Sequence, residues 1–116
     1  MPHVVIEHSS NINNTDELLN VVNQTLIDSG LFLTQQEIKA RAYINEKFLI
    51  GLAQTEGYIF VTVALLQGRT KQQKQMLGHH LKDALNHYAY SIPVQICIEI
   101  KEIDPQFYFK TTTAIH

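Results

Sequence analysis

An apolar run, His3-Val4-Val5-Ile6-Glu7-His8, opens the chain and predicts a strand. Asn14 is followed three residues later by Glu17, the spacing of a capping box. Leu18, Val22 and Leu26 then recur on one helical face before Gly30 marks a stop. From Ile38 to Ile44 the period changes to two. Ile38, Ala40, Ala42 and Ile44 share one side of a strand, and Lys39, Arg41 and Tyr43 share the other. Glu46 to Gly57 reads as a connection containing a short strand or turn.

The pattern then repeats. Tyr58 to Leu66 is apolar apart from Thr62, so both faces of this strand are expected to be buried. After the break at Gly68, Thr70 with Gln73 repeats the capping-box spacing. Leu77, Leu81, Leu85 and Tyr88 form an apolar stripe on a helix expected to reach about Tyr90. Pro93 precedes a strand in which Val94, Ile96, Ile98 and Ile100 alternate with Gln95, Cys97, Glu99 and Lys101, and the turn residues Asp104-Pro105 lead into Phe107-Tyr108-Phe109-Lys110. The capping positions Asn14 and Thr70 lie 56 residues apart, which marks a tandem of two β-α-β units. The expected fold is α+β, a single domain over residues 1–116 with a four-stranded mixed sheet and two helices on one face. The bare face calls for a cover, and a second copy of the chain would supply it.

Composition narrows the function. Nine Lys+Arg against eleven Asp+Glu leave a net charge of −2, so no global basic field points to nucleic acid or to an anionic membrane. The apolar run from Ile59 to Leu66 is too short to span a bilayer, and no secretory pattern precedes the first strand. The single cysteine, Cys97, excludes an internal disulfide and fits a small buried side chain in a reducing compartment. These features together lead us to expect a cytoplasmic protein.

Four residues are candidates for chemistry. Pro2 follows the initiator methionine, and removal of Met1 would leave a secondary amine as the first group of the chain. An α-amino group titrates near ~8, and burial or a neighbouring cation lowers that value toward a base that is neutral at cellular pH. The plain alternative is a proline without a chemical role. Arg69 stands between Gly68 and the second helix in a cationic turn with Lys71 and Lys74, whereas the first helix opens on Asp16 and Glu17. Cations at a helix start oppose the dipole, so this turn is either an anion receptor, with Arg69 and backbone N–H groups as donors, or a solvated lysine-rich surface. Lys39 and Arg41 share a strand face and serve either as cations for a carboxylated ligand or as edge protection. His80 and His87 are two helical turns apart, roughly 10 Å, too far for one metal, and no cysteine or carboxylate spacing completes a zinc site. No metal and no cofactor are therefore expected.

Pro2-His3 ahead of Val4-Val5-Ile6-Glu7, the two β-α-β units, Gly68-Arg69-Thr70, and Ile98-Glu99-Ile100 leading through Glu102, Ile103 and Pro105 to Phe109-Lys110 resemble the tautomerase superfamily. Within it they are most similar to the 5-carboxymethyl-2-hydroxymuconate delta-isomerases, over nearly the whole chain. The resemblance implies a homotrimer with sheets inside and helices outside. It also implies a small carboxylated substrate, and an N-terminal proline that moves a proton between carbons of an unsaturated keto acid without metal or cofactor. It matches Pro2 to the catalytic proline and Arg69 to a substrate-binding arginine. Lys39 and Arg41 fall on a segment with two arginines at this spacing, so Lys39 departs from the pattern, as does His8 where a smaller residue is expected. Two other readings follow from the same elements: a different superfamily reaction on a related enol or unsaturated acid, and a ferredoxin-like module that binds a small ligand without catalysis.

Overall fold

The structure is a computed structural model and describes residues 1–115. Its elements follow the order β1 (His3–Ser9), α1 (Thr15–Asp28), β2 (Lys39–Asn45), β3 (Gly57–Leu66), α2 (Lys71–Asn86) and β4 (Val94–Ile103), with single 3₁₀ turns at Gln35–Glu37 and Pro105–Phe107. The sheet order is β2-β1-β3-β4. β1 pairs with β2 in parallel, β3 pairs with β4 in parallel, and the two units join through the antiparallel β1–β3 ladder. Each unit thus keeps its own strands side by side. A split β-α-β arrangement, which the ferredoxin-like alternative requires, would separate them.

Alternation along the strands sets the core. Val4 and Ile6 of β1 and Ile59, Val61, Val63 and Leu65 of β3 are fully buried beneath Leu18, Val22 and Leu26 of α1 and Leu77, Leu81 and Leu85 of α2. The opposite positions make the second face of the sheet: His3, Val5 and Glu7 in β1, Lys39, Arg41 and Tyr43 in β2, Phe60, Thr62 and Ala64 in β3. Expected burial on both sides of β3 holds on one side only, and Phe60 is 37% exposed on the other. Two helices cover one face of four strands, which leaves this second face open in a single chain.

The two helix starts differ. Thr70 has extended geometry (φ −69°, ψ 160°), its hydroxyl accepts from the Gln73 N–H, and the Gln73 side chain accepts from the Thr70 N–H, completing the capping box. Asn14 (φ −116°, ψ 43°) makes no such bond, because its backbone does not turn the side chain toward the helix. That corner is held instead by His8, fully buried. Its Nδ1 donates to the Ser9 carbonyl at 2.8 Å, which leaves Nε2 to accept from the Thr15 hydroxyl at 2.8 Å. At the far end α2 stops at Asn86, short of Tyr90. The Tyr90 hydroxyl folds back to donate to the Leu85 carbonyl at 2.9 Å, and Pro93 commits the following chain to an extended path. Cys97 is exposed on the open face, contrary to its expected burial, since β4 turns only its alternate isoleucines toward α2.

Candidate active site at the chain start

The topology brings four ends together. β1 and β2 begin where β3 and β4 finish, with His3 paired to both Lys39 and Ala64, and Leu66 paired to Ile103. The Lys39 N–H donates to the Pro2 carbonyl at 3.1 Å, extending the β1–β2 ladder back to the proline. Met1 and Pro2 are both buried at this end. Lys39 lies beside them on the open face, its Nζ shielded from solvent and with the neutral terminal amine as the acceptor it faces. Two residues along β2, Arg41 places Nη1 3.5 Å from His3 Nδ1. His3 Nε2 lies 3.1 Å from the Tyr108 hydroxyl, and the two rings meet edge to face with centroids 6.1 Å apart.

This setting acts on proton affinity. The terminal amine, carried by Met1 here, is lowered from 8.0 to about 6, first by burial and then by the neighbouring Lys39; Lys110 adds to the effect and Glu37 opposes it. Lys39 acts in two ways. Its positive charge repels a protonated amine, and its ammonium, a pure donor, can hydrogen-bond only to an amine that has a free lone pair. His3 is lowered as well, by burial and then by Lys39, Arg41, the amine and Lys110. Among the described residues the salt bridges are Lys74–Glu102 at 3.1 Å and Lys101–Glu99 at 3.9 Å. Neither involves Lys39, Arg41 or Arg69, so positive charge prevails around the chain start, with Glu37 opposing it.

Arg69 approaches this end of the sheet from the helix side. Its Nη2 donates to the Leu31 carbonyl at 3.0 Å, its Nη1 to the Leu66 carbonyl at 3.4 Å, and the guanidinium lies over the Phe32 ring at 5.1 Å. These contacts fix its plane but do not join it to Lys39 or Arg41. The helix start beside it is a weaker anion receptor than its sequence suggests, because the N–H groups of Thr70 and Gln73 are taken by the capping box. Lys74 is occupied by Glu102.

His3 and Tyr108 are the site residues that pattern reading passes over. The period of two does put His3 on the face of Lys39 and Arg41. Nothing local signals its contact with Tyr108, 105 positions away. A separate groove of about 440 Å³ runs between α2 and β4, lined by Lys74, Gly78, His79, Ile98 and Ile100 among others, and none of the four candidate residues borders it.

The tandem parallel β-α-β units joined antiparallel at the centre, with a buried chain start flanked by cations, are the frame of an isomerase, the class that the family match gives. The chain belongs to the 5-carboxymethyl-2-hydroxymuconate isomerase family, whose model matches residues 2–116, from the proline onward. No curated protein sequence matches it. Among solved structures it is similar to a 5-carboxymethyl-2-hydroxymuconate isomerase from Deinococcus radiodurans R1, with a TM-score of 0.83 and 22% identity over 97% of this chain and 90% of that one. A 5-carboxymethyl-2-hydroxymuconate delta-isomerase follows at 0.76 and 16%, over 97% and 89%. A fused 4-OT described as a symmetric trimer gives 0.66 and 15%, over 90% and 87%. At these identities the structures establish a shared fold; the family match carries the enzyme class and displaces the non-catalytic alternative.

Proposed function

We propose that Pro2, freed by removal of Met1, is the acid/base of a cofactor-independent isomerase acting on an unsaturated 2-hydroxy or 2-keto dicarboxylic acid of the 5-carboxymethyl-2-hydroxymuconate type. The neutral amine takes a proton made acidic by conjugation with the carbonyl, the charge spreads into a dienolate, and the resulting ammonium returns the proton further along the conjugated chain. No bond to the protein forms, and the proton count is unchanged. Proton relocation of this kind calls on neither a metal nor a cofactor.

The observation that carries this reading is the family match from Pro2 onward, at a chain start buried beside Lys39; that setting lowers the Met1 amine to about 6 and would act in the same direction on a Pro2 amine once Met1 is removed. Arg41 supplies a carboxylate contact on the open face, Lys39 the positive field that steadies the dienolate, and Arg69 a guanidinium pinned in advance by Leu31, Leu66 and Phe32. A homotrimer completes the site. The open sheet face with Phe60, together with Leu52 and Phe109 standing clear of the surface, is apolar area that a neighbouring copy would cover, and a structural relative is a symmetric trimer.

The test is turnover of 5-carboxymethyl-2-hydroxymuconate by protein whose intact mass corresponds to a start at Pro2, beside the Pro2→Ala variant. Loss of the reaction in the variant, with its fold unchanged, supports the proposal. Equal turnover by both refutes it.

A further inference from the structure

We propose that His3 is a positioning residue of this site, an imidazole that aligns Arg41 on one side and Tyr108 on the other. The inference rests on the function proposed above, and begins from a question of hydrogen bonding. Arginine can only donate, so the approach of Arg41 Nη1 to His3 Nδ1 at 3.5 Å requires Nδ1 to be the bare nitrogen. The proton of a neutral ring is then on Nε2, and at 3.1 Å it is donated to the Tyr108 oxygen. A hydroxyl that accepts in this way keeps its own proton for another partner. His3 thereby converts Tyr108 into a free donor beside the cationic cluster, and it settles the guanidinium of Arg41 in the same step.

The surroundings favour the neutral ring. Lys39 and Arg41 on β2, the amine ahead of β1 and Lys110 after Tyr108 all bear on His3 with positive charge, and burial acts in the same direction. An imidazolium would have to donate from both nitrogens and would lose the contact with Arg41. Tyr108 has a second consequence. It belongs to the segment after the Pro105–Phe107 turn, and its bond to His3 ties that segment to the first residue of the sheet, two positions before Lys110, whose charge is felt at the amine. Arg41 and Tyr108 meet different nitrogens of the imidazole, 3.5 Å and 3.1 Å beyond the ring, so the ring stands between them as a spacer. This separation suits a ligand with two acceptor groups spread along an extended chain better than one with a single carboxylate.

Two measurements test the assignment. Nitrogen-15 NMR of the His3 ring at neutral pH should show Nε2 protonated and Nδ1 bare, and Arg41→Ala should release that preference. An Nδ1–H tautomer or an imidazolium in the wild-type protein overturns the proposal, whatever the enzyme's substrate. In kinetics with 5-carboxymethyl-2-hydroxymuconate, His3→Leu should lower kcat/KM about tenfold, the scale of one hydrogen bond to a charged group. Tyr108→Phe should do the same, and the double variant should be little worse than either. His3→Gln, which retains one acceptor and one donor, should recover much of the loss. If wild-type turnover depends on Pro2 while His3→Leu matches the wild type, or if the two losses simply multiply, the positioning role fails and the proposed reaction stands.

Discussion

Lys39 bonds Pro2 through its backbone, N–H to carbonyl at 3.1 Å, while its ammonium, shielded from solvent, faces the terminal amine. One residue therefore both anchors the start of the chain and charges its surroundings. The anchoring belongs to the backbone and should survive replacement of the side chain, so the two effects can be separated.

Lys39→Met should accordingly preserve the β1–β2 ladder and raise the amine toward its ordinary value. The reactive form is the neutral amine, whose share grows with pH through its pKa, so a higher pKa moves the acidic limb of the kcat/KM profile upward. A shift on the order of one pH unit is expected, and the rate at pH 6 should fall more than the rate at pH 8. A limb that stays in place would show that the Lys39 charge does not depress the amine.

Pro2→Ala should fold and assemble normally yet lose roughly a hundredfold or more in kcat/KM, the usual contribution of a positioned general base. Retention of Met1, detected by intact mass, should have a comparable effect because the proline nitrogen is then an amide. Circular dichroism and light scattering establish that the variants remain folded.

The basic turn at α2 should divide into two unequal parts. Arg69→Ala removes two hydrogen bonds to carbonyls and the stack on Phe32, which should cost about 1–3 kcal/mol of stability. It should also weaken handling of a dicarboxylate by roughly tenfold. Lys74→Ala breaks only a partly exposed pair with Glu102, worth up to about 1 kcal/mol. Thermal unfolding and steady-state kinetics on both variants check this ordering, and equal small effects would mean that the turn is merely solvated.

His8→Leu tests the corner between β1 and α1. The imidazole is fully buried with both nitrogens bonded, so leucine leaves the Thr15 hydroxyl without this partner and the Ser9 carbonyl with the Ile12 N–H as its remaining donor. A loss of about 2–4 kcal/mol in denaturant unfolding is expected.

Placing a charge on the open sheet face should disrupt assembly. Phe60→Glu leaves the helix-side core untouched, since Phe60 points away from Val61 and Ile59. It should convert a trimer to smaller species in light scattering at micromolar concentration. A wild-type protein that is already monomeric would remove the need for a partner subunit.

The strands and helices were legible because each buries one face, so periods of two and 3.6 are written into Val4/Ile6 and Leu18/Val22/Leu26. Helix ends were less so. Asn14 and Thr70 carry the same capping spacing, but only the backbone dihedrals decide which side chain reaches the helix. Pro2 joined the group only through the family resemblance, whereas Lys39 and Arg41 could be grouped from the strand pattern alone. Their link to Tyr108 could not, because a contact across nearly the whole chain depends on how the last turn folds back. Arg69 could be placed at its junction, but its shorter bond goes to the Leu31 carbonyl in the α1–β2 connection, which has no periodic signal.

The tandem arrangement also sets a count. β3 opens the second β-α-β unit as β1 opens the first, yet its first residue, Gly57, is joined by a peptide bond to Glu56 and is held by the Pro93 carbonyl at 2.9 Å. An internal amide is no base. The two halves repeat the scaffold, but only one offers a terminus, so the stoichiometry of active centres should be one per polypeptide. An inactivator that enters as a substrate analogue should stop titrating at one equivalent per polypeptide and leave the pseudo-equivalent end of every sheet unlabelled.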